Sequence, residues 1–255
     1  MSKLIKNKQE IAIMKQAAQI LVQALLLGES LAKPGVSTKD IDLAVEQFIL
    51  SKGGTPGFKG HMGYPATICK AVNDEIVHGI PDDTPLQDGD ILTIDCGVKI
   101  KGYNSDSALT VMVGNVRQTT VDFVNTTQQA LYEAIKILKP GVKTGDIGSC
   151  VQKHIESKGY KIFKDLIGHG IGKGLWEEPQ VPNYGKAGKG VELKAGMIIC
   201  IEPIVGISTS QMLTLDDNWT IVTPDQSLAC QWEHMILITE KGCEVLTLRP
   251  GEKIT

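Results

Sequence analysis

The sequence has no surplus of positive charge. Its 26 Lys and Arg stand against 29 Asp and Glu, a formal net charge of -3, which leaves no chain-wide basic footprint for nucleic acid. It also has no long apolar run near its start. MSKLIKNKQEIAIM is polar, unlike a secretory signal, and the apolar stretch Ile20 to Leu27 is interrupted by Gln23 and too short to span a bilayer. A soluble, cytoplasmic protein without a membrane is expected. There is no C-x-x-C pair among the six cysteines (Cys69, Cys96, Cys150, Cys200, Cys230, Cys243), which argues against a zinc ribbon or a redox motif. Free, mostly buried thiols fit a reducing compartment. The Gly168 to Gly174 segment, GHGIGKG, lacks the Ser or Thr that a phosphate loop needs after Gly-Lys. No G-x-S-x-G elbow is present, and no coiled-coil pattern, so a monomer is the default.

What the sequence does contain is an echo of itself. Lys33 to Gly53, KPGVSTKDIDLAVEQFILSKG, matches Lys139 to Gly159, KPGVKTGDIGSCVQKHIESKG, at 12 of 21 positions with a constant offset of 106. Each copy reads as a helix end, a Pro-Gly turn and a new helix. Thr38 and Thr144 are the expected N-caps, with Asp40 and Asp146 near the positive helix ends. Gly53 and Gly159 are the expected stops. Further on, LQDGDILTID (Leu86 to Asp95) answers LKAGMIICIE (Leu193 to Glu202) at an offset of 107. Each of these apolar strands ends on a carboxylate. Each half then brings one more acid on its expected next strand, Asp106 before SALTVMV and Glu233 before HMILIT. Both halves also carry His-Gly-Ile, at His78 and at His169. The N-terminal helix, expected over about Lys8 to Ala32, repeats Ile11, Met14, Ala18, Leu21 and Leu25 on one face. The expectation is a single catalytic domain over 1–255, internally duplicated with halves at about 8–114 and 120–248, and a site where the halves meet.

One carboxylate at a strand end carries little information. Two matched pairs carry more. With a turn centred near Ile100 and Lys101, Asp95 and Asp106 become cross-strand neighbours. Anions so placed repel, and burying them unpaired is costly. A divalent cation resolves the conflict, and four acids suit two cations about 3.5–4 Å apart. A histidine, His78 or His169, biases the set towards transition metals, because calcium and magnesium prefer all-oxygen shells.

GHGIGKGLWEEPQVPNYG, IEPIV, QWEHMILIT, VHGIPDD and the Asp95 to Asp106 hairpin resemble the type I bacterial methionine aminopeptidases, and the resemblance runs over essentially the whole chain. It implies the pita-bread α/β (α+β) fold, with two pseudo-symmetric halves, curved antiparallel sheet and outer helices. It implies metal-dependent removal of the N-terminal methionine from nascent polypeptides, before a small second residue. Nascent N-termini are then the partners, with the ribosome as a meeting place. Carried over, the ligands of two divalent cations (Co, Mn, Fe or Zn) fall on Asp95, Asp106, His169, Glu202 and Glu233. Catalytic roles fall on His78 and Glu202. Substrate contacts fall on His78, Trp176, Tyr64, Cys69, Leu175 and Trp219, with Phe58 and His61 at the pocket rim.

One position departs from the family pattern. The second histidine, seven residues after His169, is here Trp176. An indole has one N–H donor, no acceptor and no proton to exchange at neutral pH. The alternative is therefore a pita-bread relative that is non-catalytic or altered in specificity.

Overall fold

The computed structural model describes residues 4–254. Met1 to Lys3, at the head of the polar start, and Thr255 lie outside the described residues. The first helix, α1 (Lys8–Leu31), starts at Asn7, whose side chain accepts from the N–H groups of Gln9 and Glu10. The Glu10 carboxylate returns to the Asn7 N–H at 2.6 Å, which closes a capping box. Met14, Ala18, Leu21 and Leu25 are fully buried, as the sequence period required. α1 as a whole is long and apolar enough to cross a membrane by length and composition alone, a test that a buried core helix also passes, and which the shorter stretch Ile20 to Leu27 did not suggest. In this fold its apolar face packs on a long hairpin, Ile91–Ile100 with Tyr103–Met112.

The second helix, α2 (Thr38–Ser51), and the fourth, α4 (Thr144–Ser157), are the repeated segment. Their caps differ from expectation. Ser37, not Thr38, is the N-cap of α2 and accepts from Asp40 N–H at 3.1 Å. Lys143 precedes α4, and its N–H is held by the Asp146 carboxylate at 2.8 Å. Thr38 and Thr144 open the helices and use their hydroxyls to hold a neighbouring loop instead, accepting from the N–H of Asp82 and of Val191. The third helix, α3 (Gln118–Lys136), pairs with α4.

The hairpin turns on Lys101 and Gly102, with φ of 48° and 82°, the two left-handed residues of a tight two-residue loop. The turn is therefore centred one residue later than expected. Asp106 faces Gly97, and Asp95 faces Ala108. The two acids are diagonal rather than direct neighbours. They remain on one face, because 95 and 97 share a face in a strand. Gly97 has a reason to be glycine, since a Cβ there would lie 2.8 Å from Phe58 Cε1.

In the second half an antiparallel sheet runs Cys243–Val245, His234–Ile238, Ile198–Ile201, Gly168–Gly170, Glu177–Val181. His234 pairs with Ile201, so Glu202 and Glu233 stand at facing ends of paired strands. Glu233 is not on the next strand after Glu202, as the first half suggested. It lies between the strands Ala229–Gln231 and His234–Ile238, after an excursion that includes Ile204–Gly206 and Ile221–Val222. The helices α3 and α4 cover this sheet through Phe123, Leu131, Ile147, Val151, Ile199 and Ile236. α1 and α2 cover the hairpin. The halves are joined where Glu233 N–H donates to Ala108 O at 3.0 Å and Thr110 donates to Gln231 O at 2.8 Å.

Candidate metal centre and pocket

One cavity of about 560 Å³ opens between the hairpin and the second sheet. Asp95, Asp106, His169, Glu202 and Glu233 all line it, and so do His78, Tyr64, Cys69, Leu175, Trp176 and Trp219, with Phe58 and His61. Every residue singled out from the sequence is thus in one place. The residues come from segments far apart in the chain. The hairpin brings Asp95 and Asp106, the strand Gly168–Gly170 brings His169, and the ends of the paired strands bring Glu202 and Glu233.

Candidate donor atoms fall into two overlapping groups, with Glu202 outside both. Donor atoms of Asp95, Asp106 and Glu233 lie within 4.8 Å of one another, as do those of His169, Cys200 and Glu233. Glu233 belongs to both. His169 Nε2 is 3.5 Å from Glu202 Oε1 and 3.7 Å from Asp106 Oδ2. Its Nδ1 is 2.9 Å from Gly170 O. That carbonyl only accepts, so the ring proton sits on Nδ1 and the Nε2 lone pair faces the carboxylates.

Burial governs the titration of these groups. It pushes Asp95 up to about 7, against hydrogen bonds from Asp106, the Cys96 N–H and Gln231. Asp106 is raised well above the usual carboxylate range by burial and by the charges of Glu233 and Asp95. Glu202 is raised by burial and by Asp95 and Asp106. Glu233 is raised by burial and by Glu202 and Asp95. Burial lowers His169 to about 4 and also lowers His78, so both imidazoles are neutral. Asp95 Oδ1, Asp106 Oδ1 and Glu233 Oε1 are buried without a hydrogen-bond partner among the described residues. Crowded carboxyls with unpaired oxygens, beside a neutral imidazole with its lone pair inward, match the donor set of a divalent cation of borderline softness. Cys200 is within reach, but burial and the Glu233 charge hold its thiol well above its ordinary range, and it is the poorest donor of the group.

The other end of the cavity is apolar. Tyr64 donates to Gly79 O at 2.8 Å and lies 3.0 Å from Ile68 O, which locks its ring against Trp219 edge to face at 5.1 Å. Cys69 is buried beside them. At the mouth, Trp176 is 51% exposed and meets His61 edge to face, also at 5.1 Å.

Two contributors were not singled out from the sequence. Gln231 lines the cavity, with Nε2 3.4 Å from Glu202 Oε2. Asn183 donates to Glu202 O at 2.8 Å. Gln231 lies within the quoted QWEHMILIT segment, two residues before Glu233, and that adjacency was the only available signal. Asn183 had none beyond its place in the long GHGIGKG segment.

Residues 12–240 match metallopeptidase family M24. The chain is 44% identical to the methionine aminopeptidase of Mycoplasma capricolum over 95% of its length and 97% of that protein. The crystal structure of the methionine aminopeptidase of Thermotoga maritima superposes with a TM-score of 0.94 at 38% identity, covering 97% of this chain and 99% of that one. The prolidase of Pyrococcus horikoshii shares 25% identity at a TM-score of 0.80, but this chain spans only 65% of it.

Proposed function

Because the chain belongs to the methionine aminopeptidases of metallopeptidase family M24, we propose that Asp95, Asp106, His169, Glu202 and Glu233 hold two divalent cations and that the cavity above them releases N-terminal methionine. Its fold is the pita-bread fold of that family. The observation that supports the two-cation reading is that Glu233 groups with Asp95 and Asp106 on one side and with His169 on the other, where Glu202 Oε1 is 3.5 Å from His169 Nε2. A carboxylate has two oxygens, so the Glu233 side chain could serve both groups.

The chemistry that such cations supply is activation of a water molecule and polarisation of the scissile carbonyl. The protein's own residues do the rest. Glu202 would be the residue that holds a proton at its carboxylate and passes it to the leaving amine. It is steadied by Gln231 on one carboxylate oxygen and by Asn183 on its backbone carbonyl. His78 is a neutral imidazole at the cavity wall and contacts the substrate near the scissile bond. Tyr64, Cys69, Leu175 and Trp219, with Phe58, accept the methionine side chain. Aromatic edges and a small thiol suit a polarisable thioether. Trp176, at the mouth, limits the room beside the second residue of the substrate and favours a small one.

Trp176 alone had raised a non-catalytic relative as the alternative. Similarity to methionine aminopeptidases over nearly the full chain disfavours it. The scattered free thiols fit a reducing compartment such as the cytoplasm, and the reading extends to a monomer acting on nascent chains at or near the ribosome. The test is release of methionine from Met-Ala-Ser and Met-Lys-Ser peptides with Mn²⁺, Co²⁺ or Fe²⁺ added to metal-stripped protein. Metal-dependent release from the first and little from the second is expected. No release with any metal overturns the reading.

A further inference from the structure

Behind the metal-binding carboxylates, on the side away from the cavity, lies a buried guanidinium. Arg249 is 5% exposed; among the described residues its hydrogen bonds go to groups outside the cavity lining, while its charge is felt by Glu233. Its Nη1 donates to Ala108 O at 3.1 Å and lies 3.4 Å from Ser107 Oγ. Ser107 and Ala108 follow Asp106 directly. Its Nη2 is 3.3 Å from His234 Nε2, and its plane lies over the Trp232 ring at 5.3 Å. Trp232 and His234 flank Glu233. The same groups are also tied to each other. Ser107 Oγ donates to Glu233 O at 2.6 Å, and Ala108 O accepts from Glu233 N–H at 3.0 Å.

We propose that Arg249 is a positioning residue for the metal centre, fixing the spacing of Asp106 and Glu233 by tying together the backbone on either side of them. This rests on the reading that both carboxylates are ligands. Asp106 and Glu233 come from different halves of the chain, so no single element sets their separation. The guanidinium spans the seam. One face lies on Trp232, one edge reaches residues 107 and 108, and the other reaches 234.

The guanidinium is itself held. Glu252 Oε1 accepts from Arg249 Nε at 3.0 Å and Nη2 at 2.9 Å, and Oε2 accepts from Arg249 N–H at 2.7 Å. Tyr132, on α3, donates to Glu252 at 2.9 Å. Thr247 accepts from Met235 N–H at 2.9 Å. The segment from Thr247 to Glu252 is thus a brace laid across the back of the site. Its cation must be planar with several fixed donors, which arginine supplies and lysine does not. Groups that orient metal ligands without touching the metal change affinity by about tenfold to a hundredfold when removed.

The test uses the full chain, stripped of metal, as Arg249→Met and Arg249→Lys, with Val151→Ala as a core change remote from the brace. Melting temperature is measured for each. The Mn²⁺ dissociation constant and stoichiometry are then measured by calorimetry, and the visible spectrum of the Co²⁺-loaded protein is recorded, all well below unfolding. The expected result for Arg249→Met is a Mn²⁺ Kd weakened about tenfold to a hundredfold with a shifted Co²⁺ spectrum. Arg249→Lys regains stability through Glu252 but not the affinity. Val151→Ala loses stability and keeps both metal readouts. If Arg249→Met fails to fold, Arg249→Lys carries the test, with a Kd at least about tenfold weaker expected. A Kd and spectrum like the unmodified protein's in the folded Arg249 variants overturns the proposal and leaves a purely structural brace. Failure of the unmodified protein to bind Mn²⁺ overturns the ligand assignment itself.

Discussion

Trp176 concentrates the question of activity in a single side chain. It stands half exposed at the cavity mouth against His61, where the family pattern has a histidine. Losing one aimed donor costs ~10²–10³ in rate, less than the acceleration that activated water and a polarised carbonyl provide. The enzyme should therefore be slowed, not silenced. His61 lines the same cavity with its ring against the indole, and its Nε2 has no hydrogen-bond partner among the described residues. Trp176→His is expected to raise kcat/KM on Met-Ala-Ser by at least ~10-fold, within the range of a regained donor. A steady-state assay giving an unchanged or lower value refutes the idea that this position limits the rate. The departure was legible in the sequence because the motif around it, GHGIGKGLWEEPQ, is otherwise intact. Arg249 was not legible. It lies 16 residues beyond Glu233 in no recognisable motif, and only the fold brings it behind the site.

At the level of elements, the repeat made the helices readable. The offset of 106 placed α2 and α4 in register, and both run over 14 residues that begin on the threonines expected as caps. Local chemistry set the details that the pattern did not. Ser37 displaced Thr38 as cap because the Thr38 hydroxyl bridges to the Asp82 backbone across the chain. The hairpin register follows from Lys101 and Gly102 both adopting positive φ, which sets the turn on that pair rather than on Ile100 and Lys101. That register puts Gly97 opposite Asp106 and under Phe58. A methyl group there meets a buried ring that lines the cavity, and the ring has to move. Gly97→Ala is expected to destabilise the protein by about 1–3 kcal/mol, the usual range for overpacking. It should also raise KM for Met-Ala-Ser more than it lowers kcat, because Phe58 borders the methionine pocket rather than the carboxylates. Urea unfolding and peptide kinetics check both. A stable variant with unchanged KM would mean that Phe58 has space to yield.

Over the whole molecule, the carboxylates that the repeat assembles are also the contacts across its seam. Asp95 and Asp106 stand on the first half, and His169, Glu202 and Glu233 on the second. Bound cations would therefore link the halves and relieve like-charge crowding in the buried site. A ligand that binds only the folded state at 100 times its Kd adds about 2.7 kcal/mol to unfolding. Metal-stripped protein should gain stability of this order on adding Mn²⁺ and lose it again to a chelator, read as a shift in melting temperature. The two donor groups predict how the gain divides. Glu233 belongs to both groups and His169 to one. Glu233→Ala should therefore abolish the Mn²⁺-dependent shift, whereas His169→Ala should retain a part of it with a stoichiometry nearer one cation per chain. Equal loss in both variants would mean that the two positions fill as one unit, and an unchanged shift in Glu233→Ala would remove Glu233 from the site.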